Sequence, residues 1–273
     1  MTFIQAIILG IVQGLTEYLP ISSSAHLVLT PFFLGWDIPS EQIFPFDVLV
    51  QVGTLVAVFA YFWKDILSIV AAVLKGLWER KPFAEPQARL GWNIVVASVP
   101  AGIIGLLLKD QVEQAFHSVV ATALFLFVTA ALLLLAEALG NRQRSMDGLN
   151  WKDALWIGLA QALAIFPGVS RSGATIAGSM TRNLQRRDAG RFSFLMSIPP
   201  MLAAGFLSLL ELPANLAHGS YLWVLLAGFL TAAVVGYLSI YWLLRFLERH
   251  SLKVFAYYCI AVGLITLIVA YAL

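Results

Sequence analysis

Long apolar stretches alternate with short polar segments along almost the whole chain. Six windows approach the length of about 20 apolar residues that crosses a bilayer as a helix: residues 46–63, 90–108, 119–139, 192–210, 221–244 and 254–273. Hydrophobic residues make up 60% and charged residues 12% of the 273 positions, and the mean hydropathy is +0.85. This composition excludes an ordinary soluble domain. The pattern predicts an all-α polytopic membrane protein with six transmembrane helices.

Two further apolar stretches are interrupted near their centres. Residues 3–29 break at Pro20 and residues 154–180 break at Pro167, and a serine-rich sequence follows each break. Non-helical backbone at membrane depth is tolerated only where protein or a water-filled cavity satisfies its polar groups. We therefore expect two re-entrant helix-loop-helix hairpins that pack inside the bundle of transmembrane helices.

The two interrupted stretches resemble each other. Residues 13–24, QGLTEYLPISSS, align with residues 161–172, QALAIFPGVSRS. Each half of the chain then holds one hairpin and three crossings, and an odd number of crossings turns the second copy upside down. The sequence predicts one membrane domain built as an inverted repeat, with repeat 1 in residues 1–140 and repeat 2 in residues 150–273. Broken helices at matching positions in two halves indicate a binding site.

Basic residues predict the orientation in the membrane. Of the 17 Lys and Arg residues, 15 fall in segments 64–89, 142–152, 182–191 and 245–253, which the predicted topology places on one side. Cytoplasmic loops collect Lys and Arg, so this side is expected to be cytoplasmic and both termini outside. The first hairpin then enters from the outer face and the second from the cytoplasmic face, so that their tips can meet. The formal net charge of +2 gives no reason to expect nucleic acid as a partner.

Ionisable side chains within the apolar thickness indicate where chemistry occurs. A charge at such depth costs about 2.5 to 3.5 kcal/mol, so Glu17, His26 and Arg171 are functional candidates by default. In the first motif, Gln13 and Glu17 are four residues apart and share one helix face. Three serine hydroxyls follow the break, at Ser22, Ser23 and Ser24. An imidazole nearby is suited to activating a serine or protonating a leaving group.

The second motif supplies groups that bind anions. The small and hydroxyl residues around Arg171 are Ser170, Ser172, Gly173 and Thr175. Exposed N–H groups at a helix start attract anions, and arginine contacts phosphate oxygens with two parallel hydrogen bonds. The two motifs together suggest phosphoryl chemistry, and spacing alone leaves both phosphoester hydrolysis and transport open.

Structural interpretations compete at several of these positions. Glu17 and Arg171 could form an ion pair that only braces the two hairpins. Ser22 or Ser24 is expected to cap the second hairpin helix and leave Ser23 free. Cys259 lies in the last apolar segment, where a buried thiol that fills space is expected. The remaining histidines, which fall in predicted loops or at span ends, are His117, His218 and His250.

Both motifs resemble those of the undecaprenyl-pyrophosphate phosphatase family, also called the bacitracin-resistance protein family. Its (Glu/Gln)-x-x-x-Glu and Pro-x-Ser-Ser-x-x-His elements are matched by residues 13–17 and 20–26, and its Pro-Gly-x-Ser-Arg-Ser-Gly signature by residues 167–173. Gln13 stands where many members have Glu, which weakens any mechanism that needs two carboxylates on this helix. Ala25 stands where Gly is common.

The resemblance implies hydrolysis of the C55 polyprenyl pyrophosphate to the monophosphate lipid carrier for cell-wall polymers, with Mg²⁺ or Ca²⁺ as a cofactor. By this resemblance Glu17 binds the metal or orients the base, Ser23 is the nucleophile, His26 is its proton partner and Arg171 binds the pyrophosphate. The residues expected to surround the substrate are Gln13, Ser22, Ser170, Ser172, Gly173 and Thr175. The sequence leaves open whether Ser23 or His26 attacks phosphorus.

The resemblance also implies a location in the bacterial cytoplasmic (inner) membrane, with membrane lipids as neighbours. The predicted topology places the mouth of the active site on the periplasmic side, because residues 17–26 belong to the hairpin that enters from the outer face. A transporter or flippase for polyprenyl phosphate is the main rival, since inverted repeats with broken helices are typical of alternating access. Small residues such as Gly102 and Gly105 would permit close helix packing within one chain or in a homodimer.

Cysteine labelling tests the predicted orientation. In a Cys259→Ala background, Ser40→Cys should react with a membrane-impermeant maleimide added to intact cells, because residue 40 lies in a predicted outer loop. Ser145→Cys should react only after the cells are opened. The opposite pattern would invert the topology.

Overall fold

The computed structural model describes residues 1–116, 118–210 and 220–272, so His117, His218 and the final residue of the last predicted span lie outside it. The helices of these ranges are α1 Phe3–Tyr18, α2 Ser23–Leu34, α3 Ser40–Trp78, α4 Pro86–Leu107, α5 Lys109–Phe116, α6 Val119–Leu139, α7 Trp151–Ala162, α8 Arg171–Thr181, α9 Arg186–Leu210, α10 Ser220–Arg249 and α11 Lys253–Ala272. Only one isolated β-bridge, between Arg144 and Leu184, occurs in these ranges.

Six helices of the described ranges are long and apolar enough to cross a membrane: α3, α4, α6, α9, α10 and α11. They coincide with the six predicted windows, so the prediction of an all-α polytopic membrane protein is confirmed. Helix α3 has 39 residues and kinks at Phe62, where φ is −101° and ψ is 18°. Helices α1, α2, α7 and α8 have 16, 12, 12 and 11 residues, and each is shorter than the span of a bilayer.

Both predicted breaks separate a pair of these short helices. Helix α1 ends at Tyr18, before Pro20, because proline disfavours helical backbone in the residue before it. In the second stretch, a 3₁₀ turn at Leu163–Ile165 is followed by Gly168, whose φ of +105° suits only glycine well. Thr129 of α6 satisfies the exposed backbone there: its hydroxyl donates to the Gly168 carbonyl and accepts from the Ser170 N–H, each at 2.8 Å.

The first helix of each hairpin packs closely against a long helix from the other half of the chain. Helix α1 lies along α10, and α7 lies along α4. A Cβ added to Gly10 would stand 2.7 Å from the carbonyl oxygen of Gly228. A Cβ added to Gly158 would stand 2.4 Å from that of Ala97. These two glycines occupy matching positions of the two similar stretches, so the same kind of close contact occurs twice.

Three of the four basic segments meet at one end of the bundle, around buried carboxylates, and the fourth joins them through the ion pair of Asp65 with Arg191 at 3.0 Å. Glu137 of α6 accepts hydrogen bonds from Arg142 at 2.7 Å, from Arg186 at 2.5 and 2.7 Å and from the Leu252 N–H at 2.8 Å. These contacts join α6 and α9 to the turn before α11.

A second carboxylate at the same end, Asp153, binds Arg144 at 2.8 Å and Arg182 at 2.7 Å. Burial alone would raise the pKa of Asp153, but these hydrogen bonds hold the pKa below its ordinary value. Both carboxylates therefore act as anionic centres that fix the surrounding arginines.

Gly102 and Gly105 do not take part in close packing within the chain. An added Cβ would meet nothing within 4 Å at Gly102, and only Ile165 at 3.9 Å at Gly105. Cys259 is buried as expected, with its Sγ 4.0 Å from the Pro20 carbonyl oxygen.

Replacing Glu137 with glutamine should lower the thermal unfolding midpoint in detergent. The Glu137 side chain is 2% exposed, and removing one partner of a buried ion pair costs about 3 to 5 kcal/mol because the other charges stay uncompensated. Glu85→Gln is the matched control, since its pair with Lys75 is exposed and should change the midpoint little. Equal midpoints for the two variants would contradict a stabilising role for Glu137.

Candidate active site

The two breaks line one cavity of about 660 Å³. Its polar wall comes from both motifs and contains Glu17, Ser22, Ser23, Ser24, Ser170 and Arg171. Helix α1 contributes the carboxylate from its last turn, whereas α2 and α8 contribute hydroxyls and the guanidinium from their first residues. Residues 154 positions apart in the chain are thereby brought into contact.

Glu17 lies at the centre of this polar wall. Its Oε2 accepts hydrogen bonds from Ser23 Oγ at 2.6 Å and from Gln13 Nε2 at 2.9 Å. Its Oε1 accepts from Nη2 of Arg171, in an ion pair that joins the two motifs. The Glu17 side chain is 8% exposed and that of Arg171 is 23% exposed. One carboxylate therefore holds a serine hydroxyl and a guanidinium on its two oxygens.

The starts of α2 and α8 both face the cavity and are both capped by a serine side chain, although the backbone φ is +72° at Ser22 and −70° at Ser170. Ser22 caps α2 and accepts from the Ala25 N–H at 3.4 Å, as expected for one of the serines flanking Ser23. Ser170 caps α8 and accepts from the Gly173 N–H at 3.0 Å. The first N–H groups of a helix have no partner within the helix, and its dipole places partial positive charge there. The cavity therefore has two helix ends suited to an anion.

The cap serines repeat one further contact. Ser22 Oγ lies 3.1 Å from Ser24 Oγ, and Ser170 Oγ lies 3.1 Å from Ser172 Oγ. The residues between these pairs differ, since one motif has Ser23 and the other Arg171. The two helix starts thus share the side-chain contacts of their caps but present different functional groups to Glu17.

His26 does not contact Ser23 in this arrangement. Its Nδ1 lies 2.7 Å from the Ser22 carbonyl oxygen and its Nε2 lies 2.8 Å from the Tyr258 hydroxyl, and its ring stacks on that of Tyr258. The sequence-based expectation that His26 is the proton partner of Ser23 therefore has no contact to support it here. The Ser22 carbonyl, four residues before His26, holds the imidazole Nδ1, while Glu17 reaches Ser23 from another helix.

Three further residues of the second motif stabilise the start of α8 without lining the cavity. The Ser172 hydroxyl donates to the Leu19 carbonyl at 3.1 Å, which links the second motif to the first break. Thr175 is buried. Its hydroxyl donates to the Arg171 carbonyl at 2.8 Å and lies 2.6 Å from Ser193 Oγ. Gly173 contributes its N–H to the cap. These residues hold the helix start in place and are not part of the cavity lining described above.

Several lining residues were not predicted from the sequence. They are Thr16, Gln51, Ser98, Gln161, Pro199, Pro200 and Met201. Arg171 Nη2 lies 3.2 Å from Met201 Sδ, which limits the positions that the guanidinium can take. Gln161 matches Gln13 in the aligned stretches, and the pair of prolines inside α9 is unusual for a helix. Those two features were the signals available in the sequence.

The oxygen atoms near Glu17 are too few to bind a hard cation by themselves and fit one only if a substrate supplies further ligands. Within the described ranges, no group of three His, Cys, Asp or Glu residues could hold a metal ion. Gln13 Oε1 is buried and has no hydrogen-bond partner among the described residues. Mg²⁺ is commonly bound by one or two carboxylates together with substrate phosphates and water. Glu17 and Gln13 Oε1 therefore fit a cation whose remaining ligands come from phosphate oxygens and water.

The remaining wall of the cavity is apolar. It is formed by Val95, Val99, Ala101, Gly102, Phe116, Ala164, Ile165, Ala203 and Ala204. Val95 and Val99 of α4 are 48% and 49% exposed on the outer surface of a helix that is long enough to cross a membrane. The cavity therefore combines a charged end with an apolar side that continues to the lipid-facing surface.

The fold and the site together define a class: a polytopic α-helical membrane protein with a carboxylate, serine and arginine cluster where two broken helices meet. The chain matches the family described as Bacitracin resistance protein BacA over residues 6–265. The protein belongs to this bacitracin resistance protein BacA family.

Similar proteins cover nearly the whole chain. An undecaprenyl-diphosphatase of Chlorobium phaeovibrioides is 44% identical, with 98% of this chain and 97% of its own length aligned. One of Methanosphaera stadtmanae is 42% identical over 99% of both chains. One of Chlorobium phaeobacteroides is 46% identical, with 96% of this chain and 95% of its own length aligned.

Proposed function

We propose that this protein is an undecaprenyl-diphosphatase that hydrolyses the phosphoanhydride bond of undecaprenyl diphosphate and releases undecaprenyl phosphate and inorganic phosphate. The observation that carries the proposal is the contact of Ser23 and Arg171 with the two oxygens of Glu17. Full-length similarity to proteins named for this activity supports the substrate. The product is the lipid carrier for cell-wall polymers, which accounts for the link to bacitracin resistance.

The diphosphate binds between the two helix starts. Arg171 turns part of its guanidinium from Glu17 to the phosphate oxygens, because arginine can serve two oxygen acceptors with its five N–H donors. The free N–H groups at the starts of α2 and α8 add hydrogen bonds and a favourable dipole. When the substrate binds, Arg171 thus exchanges a contact with the Glu17 carboxylate for contacts with the diphosphate, which carries more negative charge.

Ser23 is the nucleophile in this proposal. Glu17 Oε2, at 2.6 Å, accepts the proton of the hydroxyl while Oγ attacks the terminal phosphorus. The Oγ–P bond forms as the bond from phosphorus to the bridging oxygen breaks, and undecaprenyl phosphate leaves with the electron pair. Glu17 passes this proton to the leaving oxygen of undecaprenyl phosphate and is ionised again. Water then attacks the phosphoserine, Glu17 accepts a proton from the water, and it passes that proton to Ser23 Oγ as phosphate leaves.

His26 acts as a positioning residue. Its contacts with the Ser22 carbonyl and with Tyr258 of α11 fix the start of α2, on which Ser23 stands. Gln13 has a similar role on α1, because its Nε2 holds Glu17 Oε2 at 2.9 Å. A divalent cation, Mg²⁺ or Ca²⁺, would be held by Glu17 and Gln13 Oε1 and would neutralise phosphate charge when bound.

The apolar wall receives the first part of the prenyl tail. A cavity of about 660 Å³ is the size of an ordinary small-molecule pocket and is far too small for a chain of 55 carbons. The tail therefore leaves the cavity past Val95 and Val99 into the surrounding lipid. The mouth faces the periplasmic side of the cytoplasmic membrane, an orientation supported by the four basic segments that meet at the other end.

An inverted repeat of two re-entrant hairpins is the arrangement that brings the site together. It is supported by the matching contacts of Gly10 and Gly158 and by the matching caps of α2 and α8. The same architecture would suit a polyprenyl-phosphate transporter. The asymmetry of the site favours hydrolysis, because Glu17 and Ser23 of one repeat correspond to Ile165 and Arg171 of the other. A homodimer stays a prediction.

Phosphate release from undecaprenyl diphosphate by the purified protein tests the proposal. Wild type should release phosphate, and EDTA should abolish the release. Ser23→Ala should lower the rate by about 10³-fold or more, because loss of the nucleophile leaves only the binding and electrostatic contributions.

Ser24→Ala is the matched control for this experiment. It removes a neighbouring hydroxyl of the same cavity wall, whose described contact is with Ser22 Oγ, and it should retain at least a tenth of the wild-type rate. If the folded wild-type protein released no phosphate, the assignment would change from hydrolysis to transport. If Ser23→Ala kept full activity, Ser23 would not be the nucleophile.

A further inference from the structure

A second cavity lies at the basic end of the bundle. Its volume is about 610 Å³, and its walls come from α3, α9 and α10. It shares no lining residue with the candidate active site. Gln51 of the first cavity and Tyr61 of the second are ten residues apart on α3, a rise of about 15 Å along the helix. The two cavities are therefore separate places on the molecule.

The second cavity is positively charged. Its charged lining residues are Arg187, Arg245, Glu248 and Arg249, so three cations and one anion leave a formal charge of +2. Arg187 of α9 pairs with Glu248 of α10 at 3.0 Å, which neutralises one cation and closes one wall. Arg245 and Arg249 form no hydrogen bond or ion pair with any group in the described ranges. Two guanidinium groups thus remain for a ligand.

The positions of these two arginines favour an anion between them. They are four residues apart on α10 and lie on one helix face, where like charges repel each other. The Arg245 Cζ lies 4.2 Å from the ring centroid of Tyr241, so the guanidinium is held against an aromatic ring. Tyr61 and Tyr241 also line the cavity. A phosphate group would relieve the repulsion and accept hydrogen bonds from both arginines.

The surface beside the cavity fits a lipid. Trp63, Tyr237, Leu238 and Trp242 flank the cavity residues along α3 and α10 and are 53%, 42%, 56% and 49% exposed. Tryptophan and tyrosine are enriched where a membrane protein meets the headgroup region. An anion bound by Arg245 and Arg249 would therefore lie at headgroup depth, with exposed apolar and aromatic side chains alongside for its chains.

We propose that this cavity binds the phosphate headgroup of an anionic membrane lipid at the basic end of the protein. Basic pockets between transmembrane helices are suited to such headgroups. The site is distinct from the one that hydrolyses diphosphate, and the proposal does not depend on that activity.

Native mass spectrometry of the detergent-purified protein tests the proposal with phosphatidic acid as the probe. Wild type should bind phosphatidic acid at least tenfold more tightly than phosphatidylcholine, whose headgroup has no net charge. Arg245→Gln/Arg249→Gln should lose at least tenfold in affinity for phosphatidic acid, because glutamine keeps part of the packing and removes both charges. Its rate of undecaprenyl diphosphate hydrolysis should stay within twofold of wild type, which also shows that the variant is folded.

The matched control is Lys152→Gln/Lys253→Gln. It removes two cations from the same end of the protein, and Lys152 also lies against an aromatic ring, that of Trp151 at 5.7 Å, but neither lysine lines the cavity. Its affinity for phosphatidic acid should stay within twofold of wild type. If both double variants lost affinity for phosphatidic acid equally, the binding would depend on the general positive charge of the surface, and the proposal would be overturned.

Competition with inorganic phosphate distinguishes a site for a lipid from a site for a soluble anion. Phosphate added at the same concentration as phosphatidic acid should not displace the lipid, because only the lipid gains from the apolar surface beside the cavity. Displacement at equal concentration would overturn the lipid assignment in favour of a soluble anion. Unchanged affinity of Arg245→Gln/Arg249→Gln would overturn the site itself.

Discussion

The contact between Glu17 and Arg171 is the interaction on which the site depends. It joins two segments from different halves of the chain, and both charges are largely buried. Either charge alone would be costly within an apolar bundle, so each compensates for the burial of the other. The carboxylate also faces two positive helix ends, those of α2 and α8. In the free protein, the Glu17 carboxylate therefore compensates the positive charge of the pocket. When the substrate binds, its diphosphate is the anion that compensates this charge.

A second constraint is the backbone that the two breaks expose. An interrupted helix in an apolar bundle must find partners for its free N–H and C=O groups. Thr129 supplies both at the second break, and Ser172 supplies a donor to Leu19 at the first. The close approach of Gly10 and Gly158 to neighbouring helices holds the short helices against the long ones. The hydroxyl and small residues around Glu17 and Arg171 therefore have a structural role in holding the two breaks together.

Much of this arrangement could be predicted from the sequence because apolar length and proline act locally. The six spanning helices, the breaks near Pro20 and Pro167 and a helix cap at Ser22 or Ser24 all follow from neighbouring residues. Contacts between distant helices could not be predicted in the same way. The hydrogen-bond partner of Ser23 is Glu17 of another helix, and the His26 ring is held by the Ser22 carbonyl and by Tyr258 of the last helix.

The most direct test of the account is the identification of the atom that carries the phosphoryl group during turnover. Wild type would be mixed with undecaprenyl diphosphate, denatured within milliseconds at neutral pH, where phosphohistidine also survives, and digested for peptide mass spectrometry. A phosphoryl group is expected on Ser23, and none is expected after Glu17→Gln is mixed with the same substrate. A phosphoryl group on His26, or turnover without any phosphorylated residue, would contradict this mechanism.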